Sequence, residues 1–574
     1  MFQSVFDKQV STRLFRFCRF CEKRPRGCLL GLVYLDRHSS LYCASTSSNM
    51  NILWFRRGLR LHDNPALLSA LENSKDFIAL YVFDTTYQDP EYKPYHMNGF
   101  LLECLHDLNE SLQNVGTKLH VFQGCPLEVF RYLQTVQTIN KLCFIQDCEP
   151  IFHERDIAVK NLCSELDIEV YEHVAHTLWD PMDIIASNGG TPPLTYEMFV
   201  HVAMSVGDPP KPVADPEWKG VKFLTVEPFE TNKFTLFGGV PTLSEVGIPE
   251  NPVDLRGRRI IGGETNALKH FAIRLQAEET AFRGGFYQPN QARPDLLGPP
   301  LSLSAAISVG AISVRLFYWK IHEIFDKVNR GNPPAWLGIT GQIIWRDYFY
   351  AMSRMNPKFN KELDNPICLQ IPWNENEEFF DKWKNGQTGY PFIDAGMRQL
   401  NQEGWMHHSV RNAVAMFLTR GDLWLNWDIG AEYMANQLVD SDWSVNSGNW
   451  MWVSSSAFER LLDCSVCINS VLYGKRLEPS GDYIRRYVPE LANFEFEYIH
   501  EPWKAPINVQ RTANCIIGKD YPARIVIHEE VLPRNQKWMK EFRQKFKETP
   551  AHCQPSSNSE VYKFFCLPDD SLPF

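Results

Sequence analysis

The chain has 574 residues, 44% hydrophobic and 13% aromatic, with a formal net charge of −10. That length supplies more than one core, and no apolar run approaches the roughly 18 residues a spanning helix needs. The acidic balance argues against broad, nonspecific nucleic-acid binding and leaves room only for a local basic patch.

Residues 1–49 are Arg-rich and carry Cys18, Cys21, Cys28 and Cys43. They read as an extension with little fold of its own, with Met50 as the natural start; an organelle presequence is the alternative. From 50 to 180, apolar segments alternate with amphipathic ones. NILWF, FIALYVF, KLHVF, KLCFI and IEVYEHV predict strands, and FLLECLHDLNESLQ predicts a helix. Asn64-Pro65 predicts an N-cap with proline at the first helical position. Alternating βα units imply an α/β domain with a doubly wound parallel sheet. No GxGxxG follows the first strand, so a nicotinamide site loses its main support.

A Pro-, Gly- and Thr-rich connector spans 181–260, long enough to wrap one domain over another. From 261 to 545 helical patterns dominate and predict an all-α second domain. The tail, 546–574, is Pro- and Ser-rich with one aromatic cluster at Tyr562, Phe564 and Phe565. Fifteen cysteines show no disulfide framework, which suits a reducing compartment. Cys18-x-x-Cys21 and Cys464-x-x-Cys467 are lone pairs with too few neighbours for zinc, so no metal is expected.

The most informative stretch runs from Gly404 to Leu461. It interleaves His408, Arg411, Asp440, Asp442, Asn446 and Asn449 with tryptophans, and eleven of the sixteen Trp lie between Trp319 and Trp452. Tryptophan is the side chain most easily oxidised by one electron, so a Trp row beside a redox cofactor carries charge. Each Trp taken singly reads as ordinary core. From Trp405 to Thr419 the apolar spacing predicts a helix with Gly421 as C-cap. His408 and Arg411 then share a face, and a buried Arg411 requires a carboxylate from Asp440 or Asp442.

WxHHxxRN, GDLWxxW, DxDWSxNxGNWMW and SxxFERLLD resemble the cryptochrome and DNA-photolyase family motif by motif. So do ILWFRRGLRLHDNPALL (52–68), QDCEPIFHERD (146–156), HTLWDP (176–181), GGETNAL (262–268), GFYQPNQ (285–291), ITGQIIWRDYFY (339–350) and WKNGQTGYPFIDAGMRQL (383–400). The likeness runs from about residue 50 to about 545 and is nearest the light-sensing cryptochromes of insects. It implies one noncovalent FAD in the helical domain, met by Ser302, Leu303, Ser304, Gln342, Trp345, Arg346, Tyr348, His408, Arg411, Asp440, Asp442, Asn446 and Asn449. Ser302 and Ser304 would sit at the pyrophosphate, where a helix start offers free N–H groups. Photolyases often have Arg where Ser302 stands. An antenna pterin or deazaflavin is left open, with absence favoured. The resemblance also implies an electron chain of Trp450, Trp427 and Trp373. Trp424 is a candidate fourth member one helical turn from Trp427, and His408 a candidate sensor of the tail.

Two departures from the insect pattern stand out. Asn446 occupies the place usually held by Cys beside flavin N5, which would favour a protonated, neutral flavin radical over an anionic one. The tail reads Phe564-Phe565-Cys566 instead of Phe-Phe-Trp. Against six-four photolyases, which use HHxxRH, the chain keeps His408 but has Asn412 at the second histidine, so a general acid–base partner is missing. The expectation is a non-enzymatic blue-light receptor of the circadian clock, located in cytoplasm and nucleus, without membrane contact and with weak or no DNA binding. Its expected partners are timeless-like clock proteins and a ubiquitin-ligase component, with the tail docking intramolecularly. The rival readings are a light-driven six-four photolyase and a light-independent clock repressor.

Overall fold

The computed structural model describes residues 49–548 except 73–75, 87–93, 148, 249–259, 287–293, 332–337 and 458–466. The N-terminal cysteines, Cys464 and the tail with Phe564, Phe565 and Cys566 lie outside the described residues.

The five apolar segments expected as strands are β1 (Met50–Phe55), β2 (Asp76–Asp84), β3 (Leu119–Gly124), β4 (Ile139–Ile145) and β5 (Glu169–His173). They pair in parallel in the order β5-β4-β1-β2-β3. Every residue of β1 is buried, as expected for strands covered on both faces, where hydrophobic runs are near-continuous instead of alternating. Between the strands run α1 (Pro65–Leu71), α2 (Tyr95–Asn114), α3 (Pro126–Val136) and α4 (Pro150–Glu165). Asn64 caps α1 by accepting from the Leu67 N–H at 3.0 Å.

The connector does more than link. It carries α5 (Pro181–Ser187) and α6 (Tyr196–Val206), then β6 (Lys222–Phe223), β7 (Phe229–Glu230) and β8 (Phe234–Leu236). β8 and β7 extend the sheet antiparallel beyond β3, and β6 pairs with β2. Strands of two or three residues are too short for any period-2 signal to register.

The rest is helical among the described residues: α7 (Glu264–Arg283), α8 (Ser304–Val309), α9 (Val314–Asn329), α10 (Gly338–Ser353), α11 (Glu377–Lys384), α12 (Pro391–Glu403), α13 (His408–Met416), α14 (Trp427–Gln437), α15 (Trp443–Val453), α16 (Ser470–Leu477), α17 (Asp482–Tyr487), α18 (Ile507–Thr512) and α19 (His528–Glu548). The helix expected over 405–419 is shorter than its periodicity implied. It starts at His408 with His407 as N-cap, and residues 417–421 widen into a π turn in which Thr419 is non-helical (φ −94°, ψ −121°). Packing overrides the pattern there: Phe417 to Gly421 are all buried, and Arg420 donates to the Val453 carbonyl at 2.9 Å.

Doubly wound sheets leave a crevice where the strand order reverses, outside the ends of β1 and β4. In this chain the helical half fills it. Gly58, just after β1, donates its N–H to the Val309 carbonyl at 2.9 Å. A Cβ on Gly310 would lie 2.3 Å from the Gly58 nitrogen, and both glycines have positive φ (72° and 89°), so neither accepts a side chain cheaply. Beside them Asp63 ties three parts of the chain together. Its carboxylate accepts from Arg315 (2.7 and 3.1 Å), from the Ser313 hydroxyl and from the Val213 N–H (2.7 Å).

Asp63→Ala therefore strands Arg315 in a site where its side chain is only 6% exposed. The expected cost is about 3–5 kcal/mol, because an unpaired buried charge remains. Urea unfolding should show a lower midpoint; an unchanged midpoint contradicts this role for Asp63.

Candidate functional site

The site is built from three segments of the helical half. α13 presents His408 and Arg411, the loop before α15 presents Asp440, and the start of α8 presents Ser302 and Ser304. Arg411 binds Asp440 in bidentate fashion, Nη1 to Oδ1 at 3.1 Å and Nη2 to Oδ2 at 2.9 Å. Its Nε donates to the Met406 carbonyl at 2.9 Å. The Ser304 hydroxyl donates to Asp440 Oδ2 at 2.5 Å, and Ser302 and Ser304 share a bond of 2.9 Å. One polar chain thus runs Ser302–Ser304–Asp440–Arg411. Of the two carboxylates open to Arg411 on sequence grounds, Asp440 is the partner.

The set fits a flavin dinucleotide. Arginine has five N–H donors, three of which bind protein acceptors, and the side chain remains 25% exposed against 4% for Asp440. Two donors and a positive charge thus face accessible space, which suits an anionic ring edge or phosphate. Asn446 and Asn449 line one face of α15. Each amide NH2 donates to a backbone carbonyl, Asn446 to Ala431 at 2.9 Å and Asn449 to Val445 at 2.8 Å. A carbonyl acceptor fixes which way such an amide points, so both side chains offer their oxygen to a ligand.

His407 and His408 are distinct. His407 caps α13 through Nδ1, accepting from the Ser409 N–H at 3.2 Å, and burial pushes its pKa down to about 3, with His408 and Arg411 adding to the effect. His408 lies open to solvent beside it, rings 4.3 Å apart. Its pKa is also lowered, by the part of its ring that packs against the protein and by the Arg411 charge.

Several expected ligands have protein partners of their own. Asp442 caps α15 by accepting from the Val445 N–H at 3.0 Å, and its other oxygen accepts from the Tyr350 hydroxyl with Arg57 3.7 Å away. That carboxylate serves the junction between the halves. Arg346 points the same way, donating to the His176 carbonyl at 2.9 Å with its Nη2 2.5 Å from His176 Nε2. The Tyr348 hydroxyl donates to the Leu194 carbonyl at 2.7 Å. On α10, positions 342, 346 and 349 share a face because they are three or four residues apart, and the long Arg346 side chain reaches from it to His176. Gln342 is exposed, and Trp345 packs against Trp452 at 6.1 Å. Leu303 is buried core, 6% exposed.

The tryptophans of the helical half include two contacting groups, with Trp427 buried near both in sequence. Trp450 lies one turn beyond Asn446 and rests on Gly430, where a Cβ would come within 2.5 Å of its ring. Gly430 follows Trp427 by three residues on α14, and Trp427 is fully buried. Trp373 and Trp424 are in contact, centroids 4.9 Å apart. Trp424 is not a helical turn from Trp427. It sits in the preceding loop in a left-handed conformation (φ 56°), held by its indole N–H on the Pro372 carbonyl at 3.1 Å. Two further rings join these groups: Trp383, 6.3 Å from Trp450, and Trp538 of α19, 5.5 Å from Trp424. Trp538 is distant in sequence and stands outside any motif, so no local pattern flags it. Among the described residues there is no cluster of metal ligands, and no helix is long and apolar enough to cross a membrane.

Residues 51–217 match the DNA photolyase family model, and residues 339–541 match the FAD binding domain of DNA photolyase. The chain belongs to the cryptochrome and DNA-photolyase family. It is 48% identical to Cryptochrome-1 of Aedes aegypti, covering 91% of this chain and 98% of the relative. It is 45% identical to Cryptochrome-1 of Drosophila melanogaster, covering 90% and 98%. A class III photolyase from Agrobacterium tumefaciens shares the fold with TM-score 0.72 at 27% identity, over 88% of this chain and 100% of that one.

Replacing Asp440 by Ala removes the acceptor shared by Arg411 and Ser304, at a cost of about 1.5–3 kcal/mol in charge-assisted bonds. The purified variant should retain clearly less flavin per protein by absorbance. Full occupancy would remove the pair from the cofactor site.

Proposed function

We propose that the protein is a blue-light photoreceptor of the circadian clock, of the insect cryptochrome type, binding one FAD noncovalently in the helical half. The observation that carries this reading is the Ser302–Ser304–Asp440–Arg411 chain, followed directly by the helix that carries Trp450. When bound, the flavin supplies a blue-light-driven one-electron oxidant. Arg411 holds negative charge at its edge, and Asp440 keeps Arg411 oriented. Asn446 presents its amide oxygen as an acceptor, so an N–H on the ring side of α15 would be stabilised there. With the flavin bound, Trp450 would be the first electron donor, and Trp427 and then the Trp373–Trp424 pair would take over the hole.

Repair of DNA is disfavoured by Asn412, because an amide is no general acid or base at neutral pH, and the burial of His407 leaves it neutral and structural. The antenna site is proposed to be empty. We place the protein in cytoplasm and nucleus, with timeless-like clock proteins and a ubiquitin-ligase component as partners. Illuminating purified protein should bleach the flavin bands without restoring ultraviolet-damaged DNA. Efficient light-driven restoration would promote the photolyase reading, to which the solved photolyase fold also conforms.

The signal is proposed to leave through the tail. Its aromatic cluster is too small for a core and must dock or stay exposed. Negative charge gained in the site would raise the proton affinity of His408, whose pKa is otherwise held down, and a protonated ring there alters the surface offered to the tail. Removing residues 550–574 should allow partner binding in the dark while photoreduction persists. A truncated chain that still requires light to bind its partner would place the switch elsewhere.

A further inference from the structure

A buried carboxylate stands beside one of the tryptophans and has no part in the site described above. Glu362 is 4% exposed. Its Oε1 accepts from the Ile371 N–H at 2.7 Å, while Oε2 is buried without a hydrogen-bond partner. The Trp373 indole N–H is likewise buried and without an aligned acceptor. It lies against the Glu362 carboxylate and favours its ionised form. The bond from Ile371 sets this carboxylate against the turn that carries Trp373, whose backbone N–H donates to the Ile371 carbonyl at 2.9 Å, so an unpartnered acceptor and an unpartnered donor belong to one short segment.

The other indoles differ. The N–H groups of Trp424 and Trp383 are held by the carbonyls of Pro372 (3.1 Å) and Val414 (2.9 Å). The Trp427 N–H is also buried without a hydrogen-bond partner, but the group beside it is the Cys368 thiol, whose pKa burial raises well above its usual value. Backbone carbonyls and a neutral thiol do not take up a proton; a carboxylate does. On the outer side, the Arg534 guanidinium sits 4.6 Å over Trp538. A fixed cation there disfavours a positive hole on Trp538, whereas a carboxylate beside Trp373 favours one.

We propose that Glu362 is the proton acceptor of the oxidised tryptophans, converting the Trp373 radical cation into a neutral radical. The inference rests on reading the tryptophans as a redox path. In the step, a one-electron oxidant takes an electron from them and is reduced. The hole settles on Trp373, its N–H bond breaks, and the proton passes to Glu362, leaving a neutral tryptophanyl radical and a carboxylic acid. Loss of the proton traps the hole, because charge return then requires the proton back.

The electrostatic surroundings give the step a pH dependence. Burial pushes the Glu362 pKa up to about 8; the Ile371 N–H opposes this, the Asp428 charge adds to it, and the Trp373 N–H opposes it. Asp428 Oδ2 lies 3.5 Å from the Glu362 N–H. Lys361 points outward to Glu432 at 3.0 Å, Cys368 is neutral, and α19 packs the apolar Met539, Trp538 and Phe542 around Trp373 and Trp424. The Arg543 guanidinium of that helix donates to the Ser455 carbonyl at 3.2 Å. Glu362 is ionised and able to accept above its pKa and is already protonated below it, so trapping rises with pH.

The test is flash photolysis of the full chain with transient absorption, which separates tryptophan cation from neutral radical. One arm uses bound FAD; the other uses flavin-free protein and a soluble ruthenium polypyridyl photo-oxidant. In wild type, neutral-radical formation should rise through about pH 8, gaining roughly 100-fold as expected for a positioned base. Glu362→Gln keeps the bond to Ile371 and should flatten the profile at the slow level, and Trp373→Phe should remove the fast component. Asp428→Asn should move the midpoint to lower pH, since a charge opposing ionisation is gone. An identical profile in Glu362→Gln, or an unmoved midpoint in Asp428→Asn, overturns the proposal. Failure of the flavin arm alone, with the ruthenium arm as expected, overturns the photoreceptor reading and supports the proton acceptor.

Discussion

The interaction on which the rest depends is the buried polar junction between the sheet and the helical half. Arg57 stands at the strand-order reversal, where an open doubly wound sheet would bind a ligand. It bonds Asp147 at 3.1 Å, Glu149, and the Ser308 carbonyl at 3.0 Å, with Asp442 3.7 Å away. Arg60 donates to the Gly310 carbonyl at 2.9 Å and to the Asp63 carbonyl at 3.1 Å. Such groups are costly to bury and tolerate few arrangements once buried. The junction therefore fixes the end of α8 and, through Asp442, the start of α15, and these elements carry Ser304 and, two residues before Asp442, Asp440.

Burial makes this junction sensitive to partial loss. Glu149 is pushed up to about 7 by burial, opposed by Arg57 and assisted by Asp147 and Asp442. Asp347 is pushed up to about 7 by burial against the pull of Arg346. Burial thus opposes ionisation of both carboxyls, and their neighbouring arginines favour it. The cofactor site contrasts with the junction: Arg411 retains donors for a ligand, whereas Arg57 and Arg60 are enclosed by protein acceptors. The same residue type thus serves fixation in one place and recognition in the other, and exposure distinguishes the two.

The tryptophans show how packing assigns chemistry to similar side chains. Each indole is apolar bulk in a core. Which of them holds a charge depends on what meets its N–H group and its ring face, and those neighbours come from Glu362, Cys368, Pro372 and Arg534. Gly430 matters for the same reason: its missing side chain lets Trp450 approach α14.

Much of this was legible in the sequence. Periodicity and apolar runs mark the five parallel strands and the Asn64 cap, because both signals are local. The pairing of Arg411 with a nearby acid follows from the cost of burying a lone guanidinium, but the choice of Asp440 over Asp442 does not. Only the tertiary structure decided it, by giving Asp442 to Tyr350 and the junction. The two-residue strands of the connector, the π turn after α13 and the left-handed Trp424 arise from long-range packing that overrides local preference. Arg346 and Tyr348 share a motif with Gln342 and Trp345, yet long-range packing gives them the His176 and Leu194 carbonyls as partners. Sequence alone determines which chemical groups are present and which elements carry them. Which groups meet is decided by the fold, because contacts between residues far apart in the chain leave no local pattern.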